Sequence, residues 1–181
     1  MSDPHSAGGS KHYQSFWDIT RLSLQYTLQR LKLDAVDADI EALMQQYAQL
    51  PAFPENIGVV QALKAQGITT AILSNGSREM LASAGMNDLL NHVISIETIR
   101  RFKTSPESYA LVQQIMPVKR EEILFVSSNA WDALGATWFG FTTLWVNRQG
   151  LPYEAIGPRP NYTGGDLLEV LKVVGSSKVG S

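Results

Sequence analysis

The chain has no cysteine in 181 residues, which excludes disulfides, thiolate nucleophiles and zinc sites built on sulfur. Histidine is scarce too: three residues, no two closer than seven positions, so metal binding through imidazole is not expected. An excess of one charge is also missing. Fifteen Lys and Arg against seventeen Asp and Glu leave a net charge of −2, with no basic cluster or acidic run to suggest nucleic acid or an anionic membrane as a partner. No apolar stretch approaches the ~20 residues of a membrane span. The N-terminus lacks the basic-then-apolar order of a signal peptide, and the expected location is the cytoplasm. What is present, 44% hydrophobic and 18% charged residues, suffices for one α/β domain with a small appendage.

The most informative stretch is Phe125-Val126-Ser127-Ser128-Asn129-Ala130-Trp131-Asp132. It ends an apolar run with small polar side chains and then an acid. Ile123 to Val126 reads as a buried strand and Ala130 to Phe139 as the helix after it. Thr69 to Leu73, followed by Ser74-Asn75-Gly76-Ser77 and a helix, has the same grammar. In open α/β sheets, loops at the carboxyl ends of strands are where ligands bind.

Around these two loops the chain alternates. A helix with a broad apolar surface is predicted over Ser15–Leu31, and a second over about Val36–Tyr47 with its N-cap at Asp34. Pro51 and Pro54 break this helical unit. Helices at Val59–Gln66 (stopped by Gly67), Arg78–Ser83 (stopped by Gly85), Pro106–Met116 and Leu167–Val173 then alternate with strands ending at Leu73, Ile96, Val126 and Val146. Repeated αβ units imply a Rossmann-like parallel sheet with right-handed crossovers. The organisation read from this is a disordered leader at 1–12, a partial helical cap at 13–53, an α/β core at 54–174 and a flexible tail at 175–181.

Three strings carry a family resemblance: Ile72 to Ser77, Phe102-Lys103 with Tyr109 six residues on, and Phe125 to Asp132. They resemble the second, third and fourth motifs of the haloacid dehalogenase (HAD) superfamily, and more narrowly the type II (S)-2-haloacid dehalogenases. Tyr13-Gln14-Ser15-Phe16-Trp17 and Asn147-Arg148-Gln149-Gly150 fit that subfamily, and the likeness spans Tyr13 to Val173. Two features depart from it. Thr104 stands where the family usually has proline, and the family's Asp-x-x-Gly-Thr string, whose aspartate is the nucleophile, does not occur. The resemblance therefore implies a HAD-like core and small cap in which the first core strand and first cap helix are missing, a truncated enzyme expected to be inactive as it stands.

By resemblance, Ser74 holds the substrate carboxylate, Asn75 lies near the halide, and Phe16 and Trp131 wall an apolar pocket. Lys103 neutralises the nucleophile, Tyr109 lies in the pocket, Ser127 and Asn129 position the hydrolytic water, and Asp132 pairs with Lys103 or activates that water. Read from residue type alone, each has a plainer alternative. Ser74 and Asn75 suit a capped turn, Lys103 a solvated surface, Tyr109, Phe16 and Trp131 a packed core, and Asp132 the first turn of a helix. In the superfamily's phosphatases two acids four residues apart in the last loop hold magnesium; here the earlier position is the neutral Ser128, which favours a site without metal or cofactor. The implied reaction is hydrolysis of short (S)-2-haloacids to (R)-2-hydroxy acids with release of halide, in a protein of a family whose members are often homodimers. A HAD-superfamily phosphatase and a non-catalytic remnant or binding protein are the competing readings.

Overall fold

Ser15 opens the first helix, its Oγ accepting the Asp18 N–H at 3.1 Å in the computed structural model, which describes residues 11–83 and 87–177. This helix, α1 (Phe16–Arg30), ends at Leu31, before Lys32 in the left-handed region at φ 55°. Helix α2 (Asp37–Ala48) begins at Val36, not behind Asp34. The side chain that satisfies a free backbone donor there is Asp39, whose carboxylate accepts the Val36 N–H at 3.1 Å. Helix α3 (Pro54–Ala65) starts five residues before the expected Val59. Pro54 occupies its first turn, where a missing N–H breaks no intrahelical bond, so the proline that ends one segment starts the next. Gly67, at φ +72°, closes this helix.

The remaining elements are β1 (Ala71–Ser74), α4 (Arg78–Ser83), β2 (His92–Ser95), α5 (Pro106–Ile115), β3 (Leu124–Ser127), α6 (Ala130–Phe139), β4 (Thr142–Val146), β5 (Tyr162–Gly164) and α7 (Glu169–Ser177). Strand β5 was not expected. Helix α7 runs through Gly175–Ser177, which the sequence reading assigned to a flexible tail. The expected leader up to Ser10, the Gly85 stop and residues 178–181 lie outside the described residues. All strand pairings are parallel, as the alternation of helix and strand requires. β1 pairs with β2 from Ala71 opposite His92 to Ser74 opposite Ser95, and a separate sheet has the order β3-β4-β5.

The chain forms two compact units. One holds the described residues up to Ala52 together with Ala71–Phe102; the other holds Phe53–Thr70 and the residues from Lys103 on. Residues 71–102, which sequence order placed in the core, thus cluster with the N-terminal helices. In the first unit the buried apolar side chains are Ile40 and Met44 of α2, Leu81 of α4, and Ile94 and Ile96. In the second, Leu144 and Val146 of β4 pack with Val59 and Leu63 of α3 and Val170 of α7. Side chains alternate across a strand, so Thr143 faces the other way, where its hydroxyl lies 2.7 Å from that of Thr137 on α6. The three-stranded sheet is therefore covered on both faces, and its strands' carboxyl ends open onto the loop that starts α6. Among the described residues no helix is long and apolar enough to cross a membrane.

Candidate active site

In the second unit one carboxylate gathers the neighbouring polar groups. Asp132, 2% exposed in the first turn of α6, accepts Lys103 Nζ at 2.9 Å and Ser127 Oγ at 2.9 Å on Oδ2, and Tyr109 Oη at 2.9 Å on Oδ1. An anion in this position gains from the helix N-terminus and from three donors, two of them neutral hydroxyls and one an ammonium. Each donor comes from a different element. Ser127 ends β3, Tyr109 lies on α5, and Lys103 precedes that helix. The fold brings together residues 23 and 29 positions from the acid.

Aromatic packing fixes the tyrosine. Its ring meets Phe125 edge-on at 5.6 Å and Phe139 at 5.6 Å, with Phe141 at 6.1 Å. Burial first, and then the adjoining Asp132 charge, push the Tyr109 hydroxyl well above the ordinary tyrosine value, so it stays a neutral donor. The Lys103 ammonium lies 5.0 Å from the Phe125 ring centroid. The loop itself is pinned on two sides. Ser127 Oγ accepts the Asn129 N–H at 3.2 Å, and the Trp145 indole N–H donates to the Ser128 carbonyl at 3.3 Å.

The first unit contains the other polar strand end. Ser74 Oγ accepts the Gly76 N–H at 3.0 Å, Ser77 Oγ accepts the Met80 N–H at 3.2 Å, and buried Ser95 donates to the Gly76 carbonyl at 2.7 Å. Ser74 is thus an acceptor within its own turn, and its O–H proton is what it offers a ligand. A cavity of about 220 Å³ opens here, lined by Phe16, Tyr47, Ala48, Ser74, Gly76 and Met80 among others. Its wall is mostly apolar, and Ser74 at the end of β1 is part of it.

The sequence-derived candidates thus occupy two places. Lys103, Tyr109, Ser127 and Asp132 form one network with Asn129 at its rim, whereas Phe16 and Ser74 line the cavity of the other unit and Asn75 sits between two residues of its lining. Trp131 is 46% exposed and so is not core. Two contributors escaped the sequence reading. Trp145, within the strand ending at Val146, carries no sequence signal of its contact with the Ser128 carbonyl. Gly135 sits inside α6, where a Cβ would come within 2.7 Å of Thr104 Cγ2 and of Tyr109 Oη. A glycine in a helix interior costs about 1 kcal/mol relative to alanine, and that misfit was the available signal.

Magnesium does not fit this donor set. Ser128 offers a neutral oxygen where the phosphatases have an acid, and both Asp132 oxygens already accept from Lys103, Ser127 and Tyr109. Among the described residues no three His, Asp or Glu side chains converge as ligands.

Known proteins resemble the chain over most of its length. The profile of the haloacid dehalogenase-like hydrolases matches residues 6–140. The chain is 38% identical over 162 residues to the (S)-2-haloacid dehalogenase H-109 of Pseudomonas putida, covering 87% of this chain and 72% of that protein. It is 37% identical over 155 residues to haloacetate dehalogenase H-2 of Moraxella sp. (strain B), covering 83% and 69%. Among solved structures, the L-2-haloacid dehalogenase RSc1362 superposes with a TM-score of 0.87 at 45% identity, over 91% of this chain and 74% of that one. The Xanthobacter autotrophicus L-2-haloacid dehalogenase with chloropropionic acid covalently bound gives 0.81 at 32% identity, over 91% and 77%. A buried carboxylate held by lysine, tyrosine and serine at the end of a parallel strand, with this degree of identity over most of its length, places the chain in the haloacid dehalogenase-like hydrolase family.

Proposed function

We propose that the chain serves the hydrolytic dehalogenation of short (S)-2-haloacids to (R)-2-hydroxy acids. The observation that carries this reading is the folded string Ser127 to Asp132, in which a neutral serine replaces the metal-binding acid and the remaining acid is neutralised by Lys103. Carbon–halogen cleavage by a carboxylate needs no metal. The carboxylate attacks C2 opposite the halogen, the halide leaves with the bonding pair, and an ester forms with inversion. Water then adds to the ester carbonyl, the acyl–oxygen bond breaks, and the hydroxy acid departs as the carboxylate is regenerated.

In this reading Ser74, with the loop that follows it, binds the substrate carboxylate, with Asn75 near the halide and Phe16 on the apolar wall. Lys103 steadies the negative charge that moves between nucleophile, ester and water. Asp132 sets the position of that ammonium and Tyr109 sets the position of Asp132, while Ser127 and Asn129 place the water. Trp131 supplies an accessible aromatic surface beside the same loop. The test joins the chain to the N-terminal Asp-x-x-Gly-Thr segment of an (S)-2-haloacid dehalogenase and follows chloride released from (S)-2-chloropropionate in excess chelator. The expected result is turnover to (R)-lactate. Activity that vanishes with chelator and returns with magnesium, or hydrolysis of a phosphate monoester instead, would overturn the proposal.

A further inference from the structure

The cavity of the first unit is larger than the smallest haloacids require. Its volume is about 220 Å³. A dry engineered cavity of about 150 Å³ accepts a six-carbon guest such as benzene. Ser74 and Gly76 line it at and just after the end of β1, and Phe16, Tyr47, Ala48 and Met80 line it elsewhere, so apolar side chains predominate in its wall. A carboxylate seated at Ser74 would have its alkyl chain directed into apolar surroundings.

We propose that this cavity makes the chain selective for 2-substituted acids of four to six carbons over the two- and three-carbon acids, and that Ala48 and Met80 set the limit. The inference rests on the reading of Ser74 and its loop as the carboxylate site. Ala48 is the last residue of α2, where the small side chain leaves room that leucine would fill. Met80, in the first turn of α4, stands over Gly76: a Cβ built on that glycine would lie 3.6 Å from its sulfur. An unbranched thioether can shift among rotamers to follow chains of different length. Each methylene fully transferred from water adds about fourfold to affinity, the equivalent of ~0.8 kcal/mol per buried CH₂, which is the upper limit for a pocket open on one side.

The experiment measures binding and not turnover, so it needs no nucleophile. The 181-residue chain is titrated calorimetrically with the product-like series from (R)-2-hydroxypropionate to (R)-2-hydroxyhexanoate, alongside Ser74→Ala, Ala48→Leu and Met80→Ala. Affinity is expected to rise with each carbon in the parent chain, by up to about fourfold. Ala48→Leu should abolish that rise, and Met80→Ala should extend it to longer chains. A flat or falling series in the parent, with three-carbon binding still lost in Ser74→Ala, overturns the size selectivity and leaves the carboxylate site standing. Binding unchanged in Ser74→Ala, or none with any member of the series, overturns the carboxylate reading and this inference with it.

Discussion

Replacing Tyr109 by phenylalanine isolates one hydroxyl in the second unit. The ring keeps its contacts with Phe125, Phe139 and Phe141, so packing is preserved. What is lost is the donor 2.9 Å from Asp132 Oδ1, in a residue with no exposed surface. A hydrogen bond to a charged partner contributes about 1.5–3 kcal/mol, and Oδ1 is too buried for bulk water to replace it fully. For a chain of this length, 1 kcal/mol corresponds to roughly 2–4 °C in melting temperature, so the midpoint should fall by about 4–10 °C. The control is Tyr153→Phe, whose hydroxyl bonds the Gly157 and Pro158 carbonyls at an exposed site; it should cost less than about 1 kcal/mol. Urea unfolding of both variants by far-UV circular dichroism gives the comparison. There is also a pH signature. Because the folded state holds the Tyr109 proton more tightly than the unfolded chain does, its contribution is intact below the ordinary tyrosine value of about 10 and is lost as pH rises above it. Tyr109→Phe should therefore flatten part of the alkaline fall in stability. Equal destabilisation by the two substitutions, to within about 0.5 kcal/mol, would refute the claim that the Asp132 bond is the stronger one.

Asp132→Asn should destabilise by about 3 kcal/mol, since it removes the charged acceptor of the Lys103 ammonium, itself 12% exposed. Lys103→Met in that background should recover most of the loss, a double-mutant cycle measured by urea unfolding. Glu97→Gln should raise the melting temperature at pH 7: partial burial first, then Glu79 and Asp18, lift the Glu97 carboxyl above its usual range, so its charged form is disfavoured in the folded state. That gain should vanish below about pH 4, where glutamate is protonated in both states. The 181-residue chain by itself should release no chloride from (S)-2-chloropropionate at an enzymatic rate, because loss of a covalent nucleophile commonly costs on the order of 10⁶ in turnover. Chloride release by the unmodified chain at tens per second would require another carboxylate to have taken that role.

Legibility from sequence varied with the locality of the cause. Helix α6 and strand β4 were bounded correctly, because Gly140 at φ +102° ends the helix by its own backbone freedom. Helix α2 was given the wrong cap, since the carboxylate that satisfies its first donors reaches back from Asp39 instead of forward from Asp34. Strand β5 is three residues, Tyr162 to Gly164, with two of them exposed; no alternation can show in so short a span, and its pairing with β4 is a tertiary fact. In the site, Lys103, Tyr109, Ser127 and Asp132 were all singled out from their strings. Their meeting on one carboxylate depends on how α5, β3 and α6 pack, which no local pattern encodes. Trp145 acts through an indole N–H on the opposite side of its loop, and that too is a consequence of register, with Ser127 opposite Trp145 in the β3–β4 pair.

Gly58 and Gly135 both lie inside helices, and a propensity scale values them alike. Their surroundings give them opposite prospects under directed evolution. Nothing lies within 4 Å of a Cβ at Gly58, so Gly58→Ala in α3 is a stabilising replacement of the usual kind. At Gly135 the same methyl would collide with Thr104 and with the hydroxyl that holds Asp132. A library that replaces helical glycines wholesale would combine a gain at Gly58 with a clash at Gly135, and because the network there also holds the fold together, selection for heat tolerance would reject the second change. In helix α6 the glycine that propensity alone would replace is the one that packing and the charge network both keep.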